Sequence, residues 1–332
     1  MAALLRTGGE HVSIHCEVGW LERILREGAD GRLNPGPGTP SVVIEIESSR
    51  SAFDTSGMQI VARGVHRGDG TVVLQDACSS GMDLAVRLDG EALHITGRWR
   101  PSRMVRAAAM ALPSRSRLLL REVLLQYPAL FRAELRGRAP LHASVCRRTG
   151  ADGGVVLLAG PSGVGKSTLV QQELARGGTA TSDNLCVSDG TRVWGVVEPL
   201  RVATGGRGRR MPHGRRETTL SSRAEELVPD TFVVLERGRG TVARTRAMER
   251  SSAERALVAG TFMACELRRY WPLASTLALG FGTGPAAPGV AAIAHTMAAR
   301  LPTYAIELPA TPDGRGLDLP APSRVEREDI PA

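Results

Sequence analysis

The sequence predicts an α/β chain in which a phosphate-loop domain follows a smaller β-rich domain. Short strand-like runs separated by hairpin turns fill residues 42–96, whereas strands and helices alternate after about residue 135. Between a buried strand and a helix of this second part stands Gly160-Pro161-Ser162-Gly163-Val164-Gly165-Lys166-Ser167-Thr168. The predicted boundaries are 1–135 for the β-rich domain with its bridging helices, 136–309 for the phosphate-loop domain, and 310–332 for a Pro-rich disordered tail.

Composition is that of a globular protein without a membrane segment. The 332 residues are 42% hydrophobic and 23% charged, and no apolar run approaches the ~20 residues of a membrane span. The first ten residues lack the apolar core of a signal peptide, so we expect a cytoplasmic protein. Five cysteines without a Cys-x-x-Cys pair argue against a zinc site or disulfide framework. The net charge of +8 comes from arginines spread over the chain, so nucleic acid is not an expected partner, and homo-oligomerisation stays open.

The first part is predicted to be mostly antiparallel strands. Residues 11–16 alternate like a strand, a helix follows from Trp20, and breakers at 34–40 form a linker. The next predicted strands cover 42–47, 59–63, 71–75, 84–88 and 93–96. Apolar spacing then predicts helices at 104–111 and 117–132, with Pro113 and Pro128 as breaks.

In the second part the predicted strands and helices surround the phosphate loop. Before the loop come strands at 140–146 and 154–159; after it come a helix at 169–176, a strand at 179–182 and a hairpin at 185–195. Residues 205–216, which hold five arginines, are predicted to be a loop. The remaining predictions are a strand at 231–236, a helix at 253–268, a turn at 280–289, a helix at 291–301 and a strand at 304–308.

The phosphate loop predicts ATP and Mg²⁺ as ligands. Its glycines let successive N–H groups point at phosphate oxygens, and the start of the following helix adds positive potential. Lys166 is expected to reach the β- and γ-phosphates, and Ser167 to offer its hydroxyl to Mg²⁺. Lys166 is also the single lysine of the chain. The expected nucleotide-binding residues are Gly160, Ser162, Gly163, Val164, Gly165, Lys166, Ser167 and Thr168.

Acidic residues beyond the loop are the candidates for metal binding and proton transfer. Asp183 follows one short helix and one return strand, which brings it back beside the loop; a turn-forming Asp is the alternative. Glu236 ends an apolar strand and competes for the metal role. His142 is either functional or a histidine satisfied at a strand end. The 205–216 loop is either a solvated surface loop or a clamp for phosphate or an acidic substrate.

The segment from about 138 to 310 resembles the HPr kinase/phosphorylase family, and more closely its shorter relatives in natural-product and modified-peptide gene clusters. The matching pieces are Leu141-His142-Ala143-Ser144, the phosphate loop, and Arg176-Gly177-Gly178-Thr179-Ala180-Thr181-Ser182-Asp183. The resemblance implies that His142 lies near the γ-phosphate and that Asp183 helps to activate the attacking hydroxyl. It also implies Glu198 and Arg201 as candidates near the family's downstream glutamate motif, with Glu198 as a metal ligand beside Ser167 and Asp183.

One departure from the family limits what is carried over. The family usually has two adjacent acids where this chain has Asp183-Asn184, which argues against phosphorolysis. The expected function is therefore an ATP- and Mg²⁺-dependent kinase whose acceptor is a hydroxyl of a peptide, a protein or a small molecule, and HPr is not the expected target. A nucleotide-binding switch or assembly protein without transfer activity, and a simple NTPase with Glu236 positioning water, remain as alternatives.

Overall fold

The computed structural model describes residues 2–34, 38–149, 153–202, 214–283 and 289–309, and it shows a mixed α/β protein with several sheets. Within these ranges, no helix combines the length and the apolar character needed to cross a membrane. Four sequence predictions lie wholly or partly outside the described residues: the 310–332 tail, the middle of the 34–40 linker, most of the 205–216 arginine loop, and 284–288 of the 280–289 turn.

The first eight strands form one sheet, in the order β1-β2-β3-β8-β7-β6-β5-β4. Their bounds are Ala2–Thr7 (β1), Glu10–Cys16 (β2), Val42–Glu47 (β3), Gln59–Ala62 (β4), Val65–Gly68 (β5), Thr71–Leu74 (β6), Met82–Asp89 (β7) and Ala92–Trp99 (β8). The predicted β7–β8 hairpin is confirmed. The sheet is not built from antiparallel hairpins alone, because β3 lies parallel to both β2 and β8. The chain between β2 and β3 includes helix α1 (Gly19–Gly28), which supplies the long connection that parallel strands require.

Helical segments connect this sheet to the rest of the chain. They are α2 (Arg103–Ala111), α3 (Pro113–Arg121), a π-helical turn (Glu122–Gln126) and α4 (Tyr127–Glu134). Pro113 separates α2 from α3 as predicted. Pro128 was predicted to break the helix and does not, since it lies in the first turn of α4, directly after the π-helical turn. A proline fits there because an N–H in the first turn has little part in the helical ladder.

A six-stranded sheet, ordered β12-β10-β11-β18-β20-β19, carries the phosphate loop after β11. The remaining strands are Ala139–Leu141 (β9), Ser144–Arg147 (β10), Val155–Ala159 (β11), Thr179–Ser182 (β12), Cys186–Ser188 (β13), Val193–Gly195 (β14), Leu200–Val202 (β15), Arg216–Thr218 (β16), Glu226–Leu227 (β17), Thr231–Arg237 (β18), Arg244–Ala247 (β19) and Thr303–Leu308 (β20). The remaining helices are Lys166–Ala175 (α5), Arg250–Phe262 (α6), Tyr270–Phe281 (α7) and Val290–Arg300 (α8). Strand β11 runs parallel to β18, and β18 parallel to β20.

Three sequence predictions in this part are corrected. The single strand at 140–146 is two strands: β9 pairs with β13, β10 pairs with β11, and the chain changes sheet at His142 and Ala143. The helix predicted at 253–268 ends at Phe262. In the turn that follows, every third side chain is buried, and a helix of 3.6 residues per turn does not sustain that spacing. Arg216, placed in a loop, begins strand β16.

The hydrophobic core is continuous across residue 135. One cluster of buried side chains joins the eight-stranded sheet to α3, α4 and α7. It also includes Leu185 and Val187, which follow the phosphate loop in the sequence. Backbone contacts follow the same path, because Gly8 N donates to Gly195 O at 3.0 Å and Val197 N donates to the Thr7 hydroxyl at 2.8 Å. The turn between β1 and β2 is thereby tied to the strands beside the phosphate loop.

Gly195 packs directly against the backbone of Thr181, and a side chain at residue 195 should destabilise the fold. A Cβ added to Gly195 would lie 2.0 Å from the Thr181 carbonyl oxygen, which is backbone and cannot rotate away. We expect Gly195→Ala to lower the free energy of unfolding by about 2 kcal/mol, in the usual range for overpacking. The check is the urea midpoint, with Gly19→Ala as control because nothing lies within 4 Å of that added Cβ. Equal midpoints for the two variants would contradict the prediction.

Candidate functional site

A cavity of about 610 Å³ opens over the phosphate loop. It lies where β9 ends, where β11 gives way to α5, where β12 ends, and beside the turn between α6 and α7. Residues from all of these segments line it: His142, the 162–169 stretch, Asp183, Asn184, Arg201, Arg215, Arg237, Cys265 and Glu266 among them. Five sequence predictions therefore meet in one place: the loop, His142, Asp183, Arg201 and one arginine of the 205–216 stretch.

The loop has the backbone that a phosphate cradle needs. Gly160, Gly163 and Gly165 have φ values of +142°, +80° and +128°, a region that other residues rarely adopt. At Gly160 a Cβ would also lie 2.8 Å from the carbonyl oxygen of Leu235 on the neighbouring strand β18. Helix α5 begins at Lys166, directly after the last glycine, so its N-terminus faces the cavity.

Lys166 is buried and is bonded to its own loop. Its Nζ donates to the carbonyl oxygens of Gly160 at 2.7 Å and Pro161 at 3.2 Å. Burial lowers the pKa of Lys166 to about 8, against the opposing effect of Glu266 and Asp183. A lysine held this way has exchangeable partners, since a phosphate oxygen is a better acceptor for an ammonium group than a neutral carbonyl.

Asp183 and Ser167 form the acid–hydroxyl pair of the site. Asp183 is 3% exposed, burial raises the pKa of its carboxyl, and Arg201 and a hydrogen bond from Ser167 act in the opposite direction. Its Oδ2 is buried without a hydrogen-bond partner. Mg²⁺ in nucleotide sites usually takes one or two protein ligands and completes its shell with phosphates and water. An orphaned carboxylate oxygen beside a loop serine fits that requirement.

The protein alone does not build a closed metal site here. In the described ranges, no group of three or more His, Cys, Asp or Glu side chains is arranged to hold a metal ion. Glu198, the third metal candidate, is bound to Arg201, with Nη2 donating to Oε2 at 2.7 Å. Burial raises the pKa of Glu198 to about 7, and its Oε1 has no partner. Glu198 is therefore chiefly the partner of Arg201, with one oxygen left over.

Arg201 connects two acids that the sequence does not place together. Its Nη1 donates to Oε1 of Glu266 at 3.1 Å, while its Nη2 holds Glu198. The amide of Gln126, from the π-helical turn, contacts the same Glu198 oxygen at 3.5 Å. Segments that precede and follow residue 135 in the sequence thus meet beside the phosphate loop. The segment that precedes it is a π-helical turn, an element that is frequent at functional sites.

His142 occupies the break between β9 and β10 and is 1% exposed. Its Nδ1 lies 3.2 Å from the carbonyl oxygen of Gly260, and its Nε2 lies 3.0 Å from Oδ1 of Asn184. Burial and the nearby Lys166 charge lower the pKa of His142. The ring is thus satisfied by hydrogen bonds at a strand end, as one of the two alternatives predicts, and it also lines the cavity.

Glu236, the competing acid, lies elsewhere. It is the last residue but one of strand β18, accepts a hydrogen bond from Arg246 Nη2 at 2.9 Å on the surface, and is not among the residues that line the cavity. Of the arginine loop, Arg215 lines the cavity, whereas Arg207, Arg209 and Arg210 lie outside the described residues.

Sequence reasoning missed several residues of the cavity, among them Arg237, Cys265 and Glu266. Arg237 Nη2 donates to the Gly163 carbonyl oxygen at 2.9 Å. Its place at the end of the apolar strand β18, which runs parallel to β11, is a signal that could have found it. Cys265 and Glu266 belong to a turn that the sequence predicts as helix, so no local signal indicates them.

Compared with known proteins, the chain matches no protein-family model and is significantly similar to no curated protein.

Proposed function

We propose that this protein is an ATP- and Mg²⁺-dependent kinase that transfers the γ-phosphoryl group to a hydroxyl of a peptide, a protein or a small molecule. The observation that carries the proposal is the pairing of a phosphate loop with a buried acid. Lys166 and the N-terminus of α5 face a cavity in which Asp183 contacts the loop serine and keeps one oxygen without a partner.

In this proposal the loop N–H groups and Lys166 would hold the phosphates. Ser167 and Asp183 would hold Mg²⁺, which would neutralise charge on the phosphates. Arg215 and Arg237, which also line the cavity, supply further positive charge around the transferring group. The acceptor oxygen forms a bond to the γ-phosphorus, the bond to the β–γ bridging oxygen breaks, and ADP leaves. The hydroxyl proton passes to a carboxylate, and we propose Asp183 for this role.

The fold assignment that goes with this function is also a proposal. We propose that residues 136–309 form an HPr kinase-like domain and that residues 1–135 form a β-rich domain before it. Two observations support it. The motif residues resemble that family, and the phosphate loop follows β11, one of the three parallel strands β11, β18 and β20. An enzyme that depends on cellular ATP also suits the expected cytoplasmic location.

A nucleotide-binding switch without transfer activity is the second candidate. The observation that favours it is Asn184, which stands where the resembling family has an acid and is bonded to His142. The NTPase alternative loses support, because Glu236 is ion-paired with Arg246 at the surface.

The three functions differ in the fate of the γ-phosphate. We would incubate the full chain with Mg²⁺-ATP and with candidate acceptors, including the products of neighbouring genes, and follow acceptor mass and free phosphate. A kinase adds one phosphate to an acceptor, an NTPase releases phosphate to water, and a switch binds ATP and does neither. ATP consumption that yields free phosphate alone, across all acceptors, would contradict the kinase.

A further inference from the structure

Helix α2 carries exposed apolar side chains. None of its residues is buried by the described part of the chain, and Met104 and Met110 are 79% and 78% exposed. The helix is nonetheless capped, because the Ser102 hydroxyl accepts a hydrogen bond from Val105 N at 3.2 Å. Two exposed methionines on one short helix are more than the single apolar residues scattered over an ordinary surface, so they indicate an interaction site.

The two methionines lie on the same outward face of α2. Side chains three and four positions apart are neighbours on a helix, so this face is centred on Ala107. Around Ala107 lie the exposed residues three and four positions before and after it: Arg103, Met104, Met110 and Ala111. Val105 and Ala109, two positions from Ala107, are partly buried and face the protein. The outward face therefore combines two methionines, two alanines and an arginine.

The charge of this region has one sign. Residues 92–121 include seven arginines and neither Asp nor Glu. Four of these arginines pair with acids from elsewhere in the chain: Arg98, Arg100, Arg117 and Arg121. The other three, Arg103, Arg106 and Arg115, make no ion pair with any described residue and are exposed. Helix α2 and the first turn of α3 thus carry three positive charges without a protein counter-charge in the described ranges.

Two tryptophans extend this surface beyond the helix. The Arg106 guanidinium carbon lies 6.0 Å from the ring centroid of Trp99. The Trp99 ring meets the Trp20 ring edge-on, with 4.7 Å between the centroids, and Trp20 is 41% exposed. Tryptophan and arginine both suit the boundary between water and an apolar phase, because each joins an apolar body or stem to a polar end.

We propose that α2, the three unpaired arginines and Trp20 form a surface that binds membranes containing anionic lipids. The arginines meet the headgroup phosphates, and the two methionines enter the boundary with the acyl chains. A nucleic acid would take the arginines and leave the methionines in water. An acidic protein would need a groove shaped for a convex helix, whereas a lipid surface adapts to one. None of these residues lines the cavity over the phosphate loop, so the proposal does not depend on the proposed function.

The test is co-sedimentation of the full chain with vesicles of phosphatidylcholine alone, or of phosphatidylcholine and phosphatidylglycerol in equal amounts. We expect binding to the mixed vesicles that weakens as salt is added, and far weaker binding to the neutral ones. Each of Arg103→Gln, Arg106→Gln and Arg115→Gln should weaken binding about fivefold. Changing both methionines, Met104→Gln with Met110→Gln, should weaken it about tenfold, because the apolar groups no longer leave water.

Matched controls separate this surface from the positive charge of the whole chain. Met263→Gln changes a methionine that is 83% exposed elsewhere. Arg87→Gln changes an exposed arginine near the turn of the β7–β8 hairpin, at the end away from Trp99. Both should bind the mixed vesicles like the wild type. All of these side chains are exposed or partly exposed, so the circular dichroism spectra should match that of the wild type.

Three results would overturn the proposal. One is equal binding to neutral and mixed vesicles, or no binding to either. Another is an equal loss of binding in the control variants and in the α2 variants, which would assign the effect to overall charge. The third is wild-type binding by the double methionine variant. An RNA oligonucleotide serves as a competing probe: RNA binding without vesicle binding would identify α2 as a nucleic-acid surface instead.

Discussion

Lys166→Ala is expected to lower ATP affinity about 100-fold or more while the chain stays folded. The lysine amine is hydrogen-bonded to the loop itself, and charge-assisted hydrogen bonds to phosphate are each worth about 1.5–3 kcal/mol, where 1.4 kcal/mol is tenfold. Folding should survive, because the hydrogen bonds recorded for the Lys166 amine go to carbonyl oxygens of its own loop. The measurement is calorimetric titration with ATP, alongside the far-ultraviolet circular dichroism spectrum.

Arg176→Ala is the matched control for this prediction. It removes a cation directly after the other end of the same helix, where Arg176 pairs with Glu173 at 3.0 Å. ATP affinity in that variant should equal that of the wild type. Wild-type affinity in a folded Lys166→Ala protein would remove the phosphate-loop assignment.

Asp183→Asn is expected to lower phosphoryl transfer by about 10²–10⁴-fold, the usual contribution of a positioned acid or base. Asn keeps the shape and one acceptor oxygen but carries no charge and cannot take a proton. Folding should be preserved, since burial already raises the pKa of this carboxyl and a neutral side chain is less costly there. ATP binding without Mg²⁺ should match the wild type, because the loop and Lys166 hold the phosphates.

Two further measurements interpret the Asp183 result. If Mg²⁺ no longer strengthens ATP binding in the variant, Asp183 acts chiefly as a metal ligand; if that increment is intact, it acts on the acceptor hydroxyl. Glu236→Gln is the control, because Glu236 lies outside the cavity lining and pairs with Arg246. Full transfer activity in Asp183→Asn would exclude both roles, and transfer activity lost in Glu236→Gln would make Glu236 the better candidate for the functional acid.

The parts of the site that the sequence predicts are those encoded locally. Glycine spacing, a preceding apolar run and a following helix define the phosphate loop within about fifteen residues. Asp183 could be predicted because a short helix and a return strand have little freedom in where they end. The strands of the first sheet are likewise visible as runs between turns, although pairing them needed the structure, since parallel neighbours such as β3 and β8 are far apart in the chain.

What the sequence does not predict depends on long-range contacts. Glu266 reaches the cavity because α6 ends at Phe262, and the turn that follows buries Ala264 and Leu267 in the core. Arg223, a surface-type residue by sequence, has a buried side chain. It donates to the carbonyl oxygens of Thr181 and Glu198, which anchors both acidic segments. Such partners are separated by tens of residues, so neither periodicity nor motif spacing indicates them.

The central claim is that ATP phosphates occupy the cavity over the phosphate loop. Hydrogen exchange measured by mass spectrometry, with and without Mg²⁺-ATP, tests it most directly because it locates the ligand on the chain. The account predicts slower exchange at 160–168 and around Asp183 and Asn184, and no such protection in Lys166→Ala. Another cavity lies beside Trp194 and Arg223. Unchanged exchange at 160–168, Asp183 and Asn184, or protection confined to that other cavity, would contradict ATP binding over the phosphate loop.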